Sequence, residues 1–202
     1  MEKNLGNLEN EILLVNNVPY LAIKLLGKGK GGYSYLASKV YSDFPTADHT
    51  NENVCALPAT NSIAKEEKNE LVVLKQIHHE PCDYYTFGNK IEAEKHDYTR
   101  LVAAGICIPR LIDIDEQNER IVKEYIDGKT VAEMVAEGTL PPQILEQGKK
   151  MATLAMSAGL NIDYYPTNFV ADKSGTLYYV DYECNTYMDE WSFDTWGKKY
   201  WE

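Results

Sequence analysis

No run of apolar residues in this 202-residue chain approaches the roughly 18 that a membrane-spanning helix needs, so no membrane anchor is expected. The start, Met1-Glu2-Lys3-Asn4-Leu5, lacks the charged-then-apolar layout of a secretory leader, and a cytoplasmic protein is expected. Cysteine is scarce. Cys55, Cys82, Cys107 and Cys184 lie far apart with no Cys-x-x-Cys pair, which fits reduced thiols rather than a disulfide framework or a zinc site. Positive charge is also short: 20 Lys and Arg stand against 31 Asp and Glu, a net charge of −11. Nonspecific affinity for nucleic acid comes mainly from Lys and Arg, so direct binding of RNA or DNA is not expected. No internal repeat is present. The 44% hydrophobic and 25% charged fractions are those of a globular chain, long enough for one domain or two small lobes around a cleft.

The first third reads as antiparallel sheet. Ile12 to Val15, the Asn16-Asn17 turn signal and Tyr20 to Leu26 predict two strands, and Tyr33 to Ala37 a third beyond a glycine-rich turn. Residues 42–69 are polar and turn-rich, with Pro45, Pro58 and a Lys65-Glu66-Glu67-Lys68 cluster, and read as an insertion. Leu71 to Ile77 resumes as strand. Asn89 to Ala104 is periodic, with Ile91, Tyr98, Leu101 and Val102 on one helical stripe, and Gly105 and Pro109 mark its end. Short strands follow around Arg110 to Ile114 and Arg120 to Tyr125, then helices over Thr130 to Ala136 and Pro142 to Ala158. Two further strands, around Asn168 to Ala171 and Leu177 to Val180, bracket Lys173-Ser174-Gly175. Strands and one helix followed by helices predict an α+β chain of two lobes.

Four separated pieces carry chemistry. Gly27, Gly29 and Gly32 in Leu26-Gly27-Lys28-Gly29-Lys30-Gly31-Gly32-Tyr33 fit Gly-x-Gly-x-x-Gly, where missing side chains let backbone amides approach phosphates; a flexible hairpin tip is the alternative. Lying between two strands, it is not a dinucleotide-binding fingerprint. Lys75, inside the apolar run Val72-Val73-Leu74, must snorkel or find an anion. Glu94 on the following helix is its natural partner; the rival Glu92 points about 160° away at 3.6 residues per turn. Asp163, Asn168 and Asp181, in Asn161-Ile162-Asp163-Tyr164-Tyr165-Pro166-Thr167-Asn168 and Val180-Asp181-Tyr182-Glu183, offer hard oxygen ligands suited to Mg²⁺ held together with phosphates. His78-His79-Glu80-Pro81-Cys82 invites a metal reading, but no second ligand pair accompanies it.

Together these motifs, from about Tyr20 to Glu183, resemble the small atypical protein-kinase-like phosphotransferases: the kinase subunit of the KEOPS tRNA-modification complex, the RIO kinases and the lipopolysaccharide kinases. The resemblance implies one kinase-like domain over 1–202. Its N-lobe of antiparallel sheet would span 1–126 with the 42–69 insertion, and an abbreviated helical C-lobe 127–202. It implies that Gly27, Lys28, Gly29, Gly31 and Gly32 cover the phosphates of ATP and that Lys75 pairs with them and with Glu94. Glu124 and Ile126, in Glu124-Tyr125-Ile126-Asp127-Gly128, would hold adenine. Asp163 would be the catalytic aspartate, with Asn168 and Asp181 the Mg²⁺ ligands.

Departures from the family pattern are as informative. Asn161-Ile162-Asp163 replaces His-Arg-Asp, so no arginine is present to read a phosphorylated activation loop. Asp181-Tyr182-Glu183 replaces Asp-Phe-Gly, and losing the glycine implies a fixed metal loop. Tyr165 favours neither protein nor small-molecule substrates. The few residues after Asp181 are too few for an activation segment and a full set of substrate helices. The expected activity is ATP- and Mg²⁺-dependent transfer to a Ser or Thr hydroxyl of a protein. A small-molecule kinase, and a nucleotide-binding regulatory subunit or ATPase within a complex, are the alternatives. The aromatic tail, with Phe193, Trp196 and Tyr200 on one helical stripe, closes the C-terminal core or, with the insertion, offers a protein partner a surface.

Overall fold

The computed structural model describes residues 7–41, 70–80 and 88–202. The expected insertion at 42–69 lies outside the described residues, as do Cys55, Pro81 and Cys82.

Along β1 (Ile12–Val15), Leu13 and Val15 turn inward while Ile12 and Leu14 stay exposed, the period of two that a half-covered sheet imposes. Asn16 and Asn17 both take positive φ, 46° and 67°, and place Val18 opposite Val15 at the start of β2 (Val18–Lys28). Asparagine tolerates the left-handed backbone that so tight a hairpin demands. β3 (Gly32–Lys39), β4 (Leu71–Ile77), β5 (Leu111–Asp115) and β6 (Arg120–Glu124) complete an antiparallel sheet in the order β1-β2-β3-β4-β6-β5.

β4 is central and covered on both faces, which is why its sequence is nearly continuous in apolar residues. Val72 and Leu74 join Tyr20, Ala22, Tyr35, Ala37 and Val122 in one core. Ile77 packs on the other face with Ile121 and with Ile91 of helix α1 (Lys90–Ala103), and Lys75 shares that face by parity. Asn89 caps α1 by accepting the Glu92 N–H at 3.1 Å. Gly105, at φ 76°, ends it, with the Ile106 N–H reaching back to the Leu101 carbonyl. The seam that α1 buries is narrower than the stripe expected for it. Ile91 and Leu101 are buried, but Val102 is 52% exposed, because it lies about 100° around the helix from Leu101.

Beyond residue 126 the elements are shorter. β7 (Gly128–Thr130) and β10 (Leu177–Tyr179) flank β9 (Phe169–Asp172) in a three-stranded sheet, and β8 (Leu160–Ile162) pairs with β11 (Cys184–Thr186). Thr130 and Glu133 form a reciprocal capping box at the start of α2 (Val131–Ala136). α3 (Pro142–Ser157) buries Ile144, Gly148, Met151 and Ala155. The aromatic tail packs into this core without forming the regular helix expected for it. Its backbone is three short turns, Asp189–Trp191, Phe193–Gly197 and Lys198–Tyr200. The expected stripe does close this core: Phe193 is buried within it and Trp196 and Tyr200 pack against it, and Trp201, outside the stripe, is buried beside them and donates its indole N–H to the Tyr164 carbonyl at 2.8 Å. The chain is a mixed α/β structure of bulged antiparallel sheet with three α-helices among its described residues, none long and apolar enough to cross a membrane.

Candidate functional site

The burial of Lys75 follows from its place in β4, where both neighbouring strands run beside it: Ser34 lies opposite on one side and Ile121 on the other. Only 8% of the residue is exposed, so its ammonium needs an anion. The Glu94 carboxylate, one turn into α1, accepts its hydrogen bond, and Asp181 Oδ1 lies 4.0 Å from the same nitrogen. Burial works against the Lys75 charge, but Glu94 and then Asp181 outweigh it and hold the ammonium above its ordinary pKa. Glu92, the rival partner, is exposed and pairs with Lys95 at 2.9 Å.

The glycine-rich segment is tighter than its sequence implies. Gly27 and Lys28 are still in β2, paired with Ser34 and Tyr33, so the turn proper is Gly29 to Gly31, closed by the Gly29 N–H on the Gly32 carbonyl at 2.9 Å. Glycine is sterically required at Gly32, where a β-carbon would stand 2.5 Å from the Gln76 carbonyl oxygen. At Gly31 a β-carbon would meet Lys75 Nζ at 3.3 Å and Glu94 Oε1 at 3.4 Å, so the turn rests directly on the ion pair. Around Gly27 and Gly29 the space is open. The Lys28 side chain turns to Glu80 and stacks over the Tyr33 ring. Glu124 and Arg110 exchange hydrogen bonds at the end of β6, and Ile126 is buried beside them in sequence.

The loop after β8 presents Asp163 at the surface. Asp163 Oδ1 accepts the Tyr165 N–H at 3.1 Å, and Asn168 Nδ2 donates to the Asp163 carbonyl at 3.3 Å. Asp181 Oδ1 accepts the Tyr182 N–H at 2.8 Å. The buried Tyr179 hydroxyl joins the two loops, accepting the Asp163 N–H at 3.3 Å and donating to the Glu183 carbonyl at 2.8 Å. Glu183 adds a third carboxylate; burial, and then the charge of Asp181, push its carboxyl above the usual range. No three His, Cys, Asp or Glu side chains among the described residues gather closely enough to hold a metal unaided. The oxygen donors of Asp163, Asn168 and Asp181 nevertheless suit a hard cation that keeps waters and takes further ligands from phosphates.

Several residues that frame this site carry no motif. His78, drawn into the metal reading by its neighbours, is buried with Nε2 3.1 Å from the Gly29 carbonyl. Lys90 donates to the Lys30 and His78 carbonyls and so ties the glycine turn to the start of α1. Asp97 accepts the Cys184 N–H at 3.2 Å while Arg100 donates to the Cys184 carbonyl at 3.3 Å, which fastens α1 to β11. Lys123 is 6% exposed on β6. Its strand, Arg120-Ile121-Val122-Lys123-Glu124, carries charge at both ends, so this buried lysine does not stand out in sequence as Lys75 does.

No family model matches the chain. Over 85 residues, 42% of the chain, it is 28% identical to a "Probable bifunctional tRNA threonylcarbamoyladenosine biosynthesis protein" of Methanococcus maripaludis. The matched segment spans 15% of that relative's length. The likeness agrees in kind with the resemblance to a kinase of tRNA modification and is partial in extent.

Proposed function

We propose that the chain is an ATP- and Mg²⁺-dependent phosphotransferase of two-lobed, protein-kinase-like architecture that transfers the γ-phosphate to a Ser or Thr hydroxyl of a protein. One observation carries the reading: a buried lysine shared by Glu94 and Asp181 lies beneath a glycine turn. Buried charges are costly, and strongly perturbed, paired groups of this kind concentrate at functional sites.

In this reading Lys75 neutralises phosphate charge, and Glu94 keeps its ammonium in place between β4 and α1. Amides of the Gly29–Gly31 turn lie over the phosphates, with no side chain at Gly31 to intrude. Asp163, exposed and steadied by the Tyr165 N–H, orients the incoming hydroxyl and accepts its proton. Asn168, whose amide nitrogen is committed to the Asp163 carbonyl, and Asp181 would hold Mg²⁺. Bound there, the ion would supply charge neutralisation across the phosphates. Most of the rate arises from positioning and electrostatics.

A second reading, which the resemblance to the kinase subunit of the KEOPS complex carries and the partial likeness to a tRNA biosynthesis protein is compatible with, is an ATP-handling subunit that hydrolyses ATP within a larger assembly. Purified protein with γ-labelled ATP and Mg²⁺ separates the two. Label on protein, lost in Asp163→Ala, supports the kinase; free phosphate without labelled protein supports the ATPase. No turnover and no thermal stabilisation by Mg-ATP, expected at about 2.7 kcal/mol near 100 times the dissociation constant, would sink both.

A further inference from the structure

Two lysines, not one, are buried on the face of the sheet that α1 covers. In the β4–β6 register Lys123 lies opposite Val73 and Lys75 opposite Ile121, so the two side chains are diagonal neighbours on one face. Like charges so placed repel, and burial and the Lys75 charge both disfavour the Lys123 ammonium. A methionine or leucine would fill the same space without that cost.

The contacts of Lys123 show what a lysine supplies there. Its Nζ donates to the Val180 carbonyl at 2.5 Å and stands 4.6 Å from the centre of the Tyr182 ring. That ring is fixed in turn by its hydroxyl on the Pro109 carbonyl at 2.7 Å and by Tyr98, 5.0 Å between ring centres. The residue between these anchors is Asp181. The carbonyl before it and the ring after it are both gripped by one ammonium, and its carboxylate is left 4.0 Å from Lys75.

We propose that Lys123 is a positioning residue that sets the direction of the Asp181 carboxylate toward the metal and phosphate site. The inference rests on the phosphotransferase reading given above. It makes Lys123, rather than a mobile glycine, the element that fixes the 180–183 segment.

The test measures binding of the non-hydrolysable β,γ-imido analogue of ATP by calorimetry, with and without Mg²⁺, to the parent, Lys123→Met and Lys123→Gln. Thermal unfolding is followed alongside. Lys123→Met is expected to keep metal-free affinity within about twofold and to lose about tenfold or more of the gain that Mg²⁺ confers, the size typical of groups that orient a metal ligand. Its unfolding midpoint is expected to stay level or rise, because a buried charge has gone. Lys123→Gln, which keeps a donor for the Val180 carbonyl, is expected to retain most of the gain. A methionine variant with the parental Mg²⁺ gain overturns the proposal, as does equal loss of affinity with and without metal. If Lys123→Met does not fold, Lys123→Leu takes its place under the same criteria: a folded leucine variant that loses the Mg²⁺ gain supports the role, and one with the parental gain overturns it. A folded parent that shows no Mg²⁺-dependent binding overturns the phosphotransferase reading itself, a result distinct from any difference between variants.

Discussion

The Lys75 ammonium and the Glu94 carboxylate meet between β4 and α1 with only 11% and 14% of their side chains exposed. Removing one member of such a pair strands the other. Glu94→Gln is therefore expected to destabilise the fold by about 3–5 kcal/mol, read from urea unfolding. The double variant Lys75→Met/Glu94→Leu should recover most of that stability and still fail to bind Mg-ATP. Parental nucleotide affinity in the double variant would remove Lys75 from the site.

Asp163 separates chemistry from binding. It is exposed, and among the described residues its carboxylate accepts only the local Tyr165 N–H. Asp163→Asn should keep the fold and bind nucleotide within about twofold of the parent. Phosphoryl transfer in a single turnover should fall by about 10²–10⁴, the usual worth of a positioned base. Unchanged transfer would move the proton acceptor elsewhere.

What could be read from sequence depended on how far each signal reached. Lys75 stood out because a charge interrupts a long apolar run; helical phase set Glu94 apart from Glu92, and the family resemblance chose between them. Lys123 follows only two apolar residues and sits between Arg120 and Glu124, so a charge there does not stand out. The β8–β11 pair was illegible because each strand is three residues long and its placement is secured by Asp97 and Arg100, more than 80 residues away in the chain. The tail misled for a related reason. Spacing predicted a helix, but packing around Trp201 determined the backbone, and local periodicity carries no record of the cavity an indole must fill.

Asp115 sets a pH dependence remote from the site. It is 3% exposed and accepts hydrogen bonds from the Asn16 N–H and from the Asn118 N–H and side-chain amide at 2.8–2.9 Å. Burial opposes its charge, yet these bonds and Arg120 outweigh it and hold the carboxyl below its ordinary 3.8. A depressed folded-state pKa contributes stability that is fully present above 3.8 and lost as pH falls through the lower folded value. Asp115→Asn should cost about 1–3 kcal/mol at neutral pH. The gap from the parent should close as denaturation is repeated at progressively lower pH. A constant gap would mean that the hydrogen bonds, not the charge, carry the effect.

Trp201 and Gly148 form a second testable pair. A β-carbon on Gly148 would lie 2.6 Å from the Trp201 ring, and the ring also packs edge-on against Phe169 and Phe193. Gly148→Ala gains up to about 1 kcal/mol of helix propensity in α3 but forces a fully packed indole to move. Overpacking of this kind costs about 1–3 kcal/mol, so the net effect should be destabilising. Trp201→Ala should cost about 3–5 kcal/mol by leaving a cavity and an unbonded Tyr164 carbonyl. Once the indole is gone, the clash is gone with it, and Gly148→Ala should then stabilise the Trp201→Ala background. Chemical denaturation of the four proteins in the cycle reads this change of sign. A Gly148→Ala effect of the same sign in both backgrounds would show that the tail does not pack on α3 as described.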